Sequence, residues 1–310
     1  MKKEYIILAA LIVCLSAYLW FHKENRDNYK LPDILKIDTS QVTSILIEKK
    51  DGPIKLTRKE KTWTLTDKNF PADTSLVATM LDTIKTFKLT ALVSQQNDLN
   101  RYELDQENKI HVTISFGEKD KFEFTAGKDA PSFNHTFVML AKDNNVYHAM
   151  GSFRNDFNQN INDYRDKTVL EVKDATVKQF SVSKGKTSKT LISKETKSDK
   201  EKTIKTWQSK DGRSADKEKI TSFLSSISYL KCDAYVEDKM KKDFKTASPS
   251  HSIQIDTDKK IVFNLYKLDG QDQTYGISSM NDYVFVLNDY DSKKIASSID
   301  SFLGIKPKEK

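Results

Sequence analysis

Residues 61–87 read KTWTLTDKNFPADTSLVATMLDTIKTF, and residues 205–230 read KTWQSKDGRSADKEKITSFLSSISYL. Each copy has Lys-Thr-Trp, then Ala-Asp, then apolar residues in the same phase. In the first, Leu76, Val77, Met80, Leu81, Ile84 and Phe87 recur at spacings of three and four, which predicts one buried stripe on a helix. In the second, Ile220, Phe223, Leu224, Ile227 and Leu230 repeat it. Asp73 and Asp216 stand just before the stripes, where a carboxylate can accept the orphan N–H groups of a first helical turn. The reading is a strand closed by Trp63 or Trp207, the ring anchoring a sheet face against the helix that follows.

The likeness extends outward. LKIDTSQVTSILIEKK (35–50) lies over LEVKDATVKQFSVSKG (170–185), IHVTISF (110–116) parallels HSIQIDT (251–257), and NVYHAM (145–150) parallels DYVFVLN (282–288). A repeat of about 130–140 residues is far too long for a solenoid unit and has the size of a domain. In the first copy, 42–48, 54–58 and 62–66 read as strands, with Asp-Gly-Pro at 51–53 as turn chemistry. Four more strands are expected near 110–116, 121–125, 136–141 and 145–149. A closing helix is expected on the stripe Phe153, Phe157, Ile161 and Tyr164, and its counterpart on Ile295, Ile299, Phe302 and Leu303. Successive short strands with no room for a crossover helix must pair antiparallel. The fold class is therefore α+β: a tandem duplication of an antiparallel-sheet unit with two helices per unit, preceded by one N-terminal transmembrane helix. The expected divisions are 1–30 for anchor and linker, 31–168 for the first unit and 169–310 for the second.

The first residues read MKKEYIILAALIVCLSAYLWFHKENRDNYK. The apolar run Tyr5–Phe21 would span about 25 Å as a helix, near the short limit for a bilayer. It is longer than a usual signal-peptide core, so an uncleaved anchor leads, with cleavage after Leu15-Ser16-Ala17 as the alternative. Lys2 and Lys3 favour a cytoplasmic N-terminus, which puts the bulk of the chain on the exported side of the cytoplasmic membrane. Cys14 and Cys232 are the only cysteines, which excludes a disulfide framework or a Cys-based zinc site within one folded body. Cys232 reads as a small apolar residue at a helix end, its thiol held up by neighbouring Asp233.

Motifs of catalysis are missing from the sequence. The five histidines show no HxH, HxxxH or HExxH pattern, and His111 and His251 hold similar strand positions, which favours a structural role. There is no GxSxG, GxGxxG or GxxxxGK[ST]. The acid pairs Asp256/Asp258 and Asp289/Asp291 lack the Gly and closing Glu of a calcium loop and read as turn formers. No catalytic, cofactor-binding or metal-binding residue is assigned, no cofactor is expected, and the protein is expected not to be an enzyme.

Charge is uneven. The chain carries +7, and residues 184–219 hold twelve Lys/Arg against six Asp/Glu. The stretch from Val177 to Trp207 is nine residues longer than its counterpart from Val42 to Trp63, which predicts a projecting basic hairpin. Its candidate surface contacts are Lys184, Lys186, Lys189 and Lys194, then Lys197, Lys200, Lys202 and Lys205. Such a hairpin could touch anionic lipid head groups; a solvated loop is the plain alternative. Nucleic acid is excluded as a partner by the exported location and the near absence of aromatics from the stretch.

The basic start with one anchor, KTWTLT (61–66), PAD (71–73), RYELD (101–105), NVYHA (145–149) and DYRDKTVL (163–170) resemble the family known as domain of unknown function 4340. The resemblance covers most of the chain, in two copies. It departs at Tyr102-Glu103-Leu104, where the family more often shows Tyr-Gly-Leu. The resemblance implies no catalytic role. It implies an auxiliary component of gliding-motility-type ABC transport systems, and so a membrane-anchored accessory or scaffold protein with a protein partner in the envelope. An envelope-polymer or anionic-lipid binding protein is the alternative, and a hydrolase with a site built from scattered residues is the third reading.

Overall fold

A computed structural model describes residues 3–21, 29–65, 69–96, 98–117, 120–131, 134–197, 203–236, 239, 241–244, 246–268, 270 and 272–305. The chain separates into two compact units, Met1–Gln159 and Asn160–Lys310.

Unit 1 begins with α1 (Lys3–Phe21), followed by β1 (Val42–Glu48), β2 (Ile54–Lys59), β3 (Thr62–Leu65), β4 (Phe70–Pro71), α2 (Thr74–Lys85) and β5 (Leu89–Ser94). Then come β6 (Ile110–Phe116), β7 (Asp120–Asp129), β8 (His135–Leu140), β9 (Val146–Met150) and α3 (Phe153–Phe157). The strands form one sheet in the order β4-β3-β2-β1-β6-β7-β8-β9-β5. Unit 2 holds α4 (Ile161–Tyr164), β10 (Thr168–Glu171), β11 (Gln179–Lys184), β12 (Thr187–Lys197), β13 (Thr203–Ser209) and α5 (Lys217–Ile227). It continues with β14 (Tyr229–Lys231), β15 (Ala234–Val236), β16 (His251–Asp256), β17 (Lys260–Lys267), β18 (Thr274–Ser278), β19 (Val284–Leu287) and α6 (Asp289–Leu303). Its main sheet runs β13-β12-β11-β16-β17-β18-β19-β15, and β10 pairs separately with β14. Taken in chain order, this is the sequence β3-β2-β1-β6-β7-β8-β9-β5 of unit 1. The described strand pairings are antiparallel, which makes the protein α+β.

The helix stripes behave as their spacing demands. Val77, Met80 and Ile84 of α2 are buried, as are Ile220, Phe223, Leu224 and Ile227 of α5. Asp73 accepts from the N–H groups of Ser75 and Leu76, and Asp216 from those of Glu218 and Lys219. Each cap is delivered by the same contact with the preceding strand: Ala72 N–H donates to Trp63 O, and Ala215 N–H to Trp207 O, both at 2.9 Å. Trp207 is buried, whereas Trp63 is half-buried. On the opposite sheet face each unit carries a smaller apolar cluster, around Tyr102, Leu104 and Phe137 in unit 1 and around Phe244, Tyr266 and Tyr275 in unit 2.

Several expectations need correction. Strict alternation along 42–48 would put Val42 on the face opposite Ile45 and Ile47; it shares their buried face instead, because a bulge between Val42 and Ser44 shifts the pleat by one residue. The closing helix expected over Phe153–Tyr164 is two short helices, α3 and α4. Asn158 and Asn160 flank the break, and Asn160 is in an extended conformation (ψ 158°), where a short amide competes with helical hydrogen bonds. Strands β5 and β15 had no counterpart in the sequence reading, yet they complete the sheets beside β9 and β19. Among the described residues no helix is long and apolar enough to cross a membrane. Several side chains of α1, including those of Leu19, Trp20 and Phe21, lie outside the described set.

Candidate functional site

The sequence resemblance rests on motifs that prove to be local supports of the fold. KTWTLT covers β3, and PAD leads from β4 into the α2 cap. In RYELD the backbone turns sharply, with Glu103 at φ +55°, the left-handed region that glycine adopts freely. This is the position at which the family more often has glycine. Arg154 steadies the turn: its guanidinium reaches Glu103 Oε2 at 3.0 Å and donates to the carbonyls of Gly127 and Asn108, each at 2.8 Å. In DYRDKTVL, Arg165 is only 2 % exposed. Its guanidinium carbon lies 4.3 Å from the Tyr235 ring centre and 4.9 Å from that of Tyr283, so two aromatic faces hold the buried cation. The Tyr235 hydroxyl donates to Asp166 O at 2.8 Å, and burial pushes its pKa upward.

Cys232 belongs to the core of unit 2. Burial, not the neighbouring Asp233, pushes its thiol up to about 11, with Lys167 working the other way, which leaves it protonated and unreactive at neutral pH. His148 is packed against Phe137 and His135, with ring centres 4.8 and 5.6 Å away. Burial first, and then the His135 charge, lowers its pKa. Its Nε2 is buried with no hydrogen-bond partner among the described residues. His251 Nε2 lies 3.5 Å from Asp300 Oδ1, too far for a strong hydrogen bond. Among the described residues no group of three or more His, Cys, Asp or Glu is placed to hold a metal ion.

The basic hairpin is β12–β13. β12 pairs with β11 only as far as Ile192, while its pairing with β13 runs from Leu191 to Lys197. The outer part therefore extends beyond the edge of β11. The candidate lysines have different fates. The Lys184 ammonium is held by both carboxylate oxygens of Asp300, at 2.7 and 2.8 Å. Lys205 donates to Asp174 O at 2.7 Å and sits 5.0 Å from the Trp207 ring centre, and burial lowers its pKa. Lys189 lies 4.7 Å from the Phe302 ring centre. Lys186 and Lys194 are exposed. The side chain of Lys197, and Lys200 and Lys202, lie outside the described residues.

Lys189 also marks a cavity of unit 2, a trough of about 900 Å³ between α5 and α6. Its floor is apolar, from Leu191, Ile220, Phe223, Phe302 and Leu303. Phe223 and Phe302 stack with ring centres 4.4 Å apart. One rim is Lys219, Ser222 and Ser226 of α5; the other is Lys294, Ser297, Ser298 and Ser301 of α6. The trough can bury an apolar surface and surround it with hydroxyls and ammonium groups. Sequence reading missed it because the two stripes come from helices far apart in the chain. The signal was the polar half of each stripe, serines at the same three- and four-residue spacing as the core positions.

No curated protein and no solved structure matches the chain. A family model does, over residues 63–249, as a single span that crosses the division between the units and stops before α6. That span is more than half of the sequence, and with it the chain belongs to the family described as Domain of unknown function (DUF4340).

Proposed function

We propose that the protein is a membrane-anchored accessory component of the cell envelope, a binding protein rather than an enzyme. Helix α1 is the anchor, and both units stand on the exported side, where they engage a protein partner. The observation that carries this reading is the surface of α1. Tyr5, Ile7, Leu8, Leu11, Ile12 and Val13 are each 54–66 % exposed, and Leu15 and Tyr18 are exposed to a similar degree, so these large apolar side chains are left uncovered. Its apolar part, Tyr5–Phe21, rises about 25 Å, at the short limit for a ~30 Å hydrocarbon core. The family resemblance supports an accessory role and suggests an ABC-type membrane complex as the class of partner. The matching strand orders, the two Trp–Ala hydrogen bonds and the two Asp caps support descent of both units from one ancestral domain. The test is to wash native membranes with carbonate and then crosslink. Full-length protein should stay in the membrane and join to a protein partner. Recovery of a soluble chain beginning near Tyr18, or no protein adduct at any surface position, would sink the reading.

A second reading, contact with an anionic surface through β12–β13, is favoured by the extension past β11 and by exposed Lys186 and Lys194. Replacing both with Gln should weaken binding of the protein to anionic vesicles at low salt. Unchanged vesicle binding would remove this reading.

A further inference from the structure

We infer that the trough between α5 and α6 is a docking groove for an amphipathic helix of the protein partner, one that carries acidic residues along both flanks of its apolar face. The inference rests on the protein-partner reading above and names the surface and the chemistry of the contact.

Size and shape come first. The trough holds about 900 Å³ and is floored by the stacked rings of Phe223 and Phe302 together with Leu191 and Ile220. It lies along α5, whose 11 residues measure about 16 Å, so it accommodates about three turns of helix. Its walls are low. Ser222 and Ser226 on α5 face it, as do Ser297, Ser298 and Ser301 on α6, and side chains this short let a third helix approach to the ~8–10 Å of ordinary helix packing. An apolar face set into such a groove anchors through residues at i, i+3, i+4 and i+7.

Charge decides the flanks. Lys219 and Lys294 stand one on each rim, and Lys189 adds a third cation at the floor edge, its ammonium 4.7 Å from the Phe302 ring centre. The two acids at the groove, N-cap Asp216 and Glu218 of the first turn, stand together at the start of α5; Asp216 caps the helix and its other oxygen lies 4.0 Å from Lys219 Nζ. The groove thus carries three lysines against two acids, with the acids confined to one end. Acidic flanks complement the lysines, and basic flanks meet like charge.

The test uses the full chain in zwitterionic nanodiscs and two labelled synthetic helices. Both have the same leucine-rich face; one has Glu flanks and the other Lys flanks. The Glu-flanked helix should bind at least tenfold more tightly. Ser298→Trp, which fills the groove from a partly exposed position, should abolish that binding while leaving the circular dichroism spectrum and melting temperature unchanged. The pair Lys219→Glu and Lys294→Glu should reverse the preference. Equal binding of the two helices, or Glu-flanked binding indifferent to both Ser298→Trp and the charge reversal, overturns the inference. So does myristate binding that Ser298→Trp blocks when neither helix binds, since the groove would then be a lipid site. A photocrosslinker at Ser297 should capture a protein in native membranes. Capture at exposed Tyr290 but not at Ser297 overturns the groove and leaves the protein-partner reading standing; capture at no surface position ends both.

Discussion

Gly127 presses its α-carbon against the carbonyl of Tyr102: a methyl group on Gly127 would sit 2.1 Å from that oxygen and 3.0 Å from the Leu104 side chain. The oxygen belongs to the backbone of a tight turn and has nowhere to go. Gly127→Ala should therefore destabilise unit 1 by about 2–3 kcal/mol, the upper range for overpacking. Denaturant titration of the variant checks this; a loss below about 0.5 kcal/mol would mean that the turn moves freely.

Glu103 follows in the same turn. Its φ of +55° costs a side-chain-bearing residue about 1–2 kcal/mol. The compensating ion pair with Arg154 at 3.0 Å is partly exposed and worth about 0–1 kcal/mol. Glu103→Gly is expected to be at least as stable as the parent, while Glu103→Val, β-branched at positive φ, should lose about 1–2 kcal/mol. Thermal melts of the two variants distinguish them, and a strongly destabilised Gly variant would show that the ion pair dominates.

The caps should behave alike in both units. Asp73→Ala and Asp216→Ala each remove an acceptor of two helical N–H groups and should cost about 1 kcal/mol, with Asn at either site recovering most of it. Hydrogen exchange localised to the first turns of α2 and α5 reads the effect directly.

Stability should fall on the acid side of neutrality. His251 is held below its ordinary 6.5 by burial and then by Lys184, with Asp300 pulling the other way; His148 is lowered by burial and by His135. In each case the unfolded chain takes up the proton first, so the folded state loses stability as pH drops below about 6.5. Unfolding free energies at pH 7.5 and 5.5 should differ less in the His148→Phe and His251→Gln double variant than in the parent. An identical difference would remove both histidines as the cause.

In a Cys14→Ser background, Cys232 should resist thiol reagents at pH 8 until the protein unfolds, because it is buried and its pKa stands near 11. Labelling at the rate of a free thiol would show that the core around it opens locally.

What the sequence disclosed was whatever depends on neighbours a few residues apart. The stripes of α2 and α5, their Asp caps and the Gly52 turn all follow from local spacing, and the family-like motifs were legible for the same reason. Hidden features depend on distant partners. Lys184 looks like one more exposed lysine until Asp300, 116 residues away, closes on it. β5 has no clean alternation, and only its pairing with β9 some fifty residues later makes it a strand. The groove is invisible for the same reason, since its rims are set by α5 and α6 together. The bulge at Val42 and the break at Asn158–Asn160 are decided by backbone choices that periodicity does not record.

Arg165 bears on how the protein can be cut. A fragment that starts at Val169, where sequence repeats place the second unit, would discard the guanidinium held between Tyr235 and Tyr283 and the first residue of β10. Two ring faces would then border a void the size of an arginine side chain, and β14 would lose part of its partner. Anyone expressing the second half alone should begin at or before Asn160, keeping the nine residues from 160 to 168 as an integral plug rather than trimming them as linker.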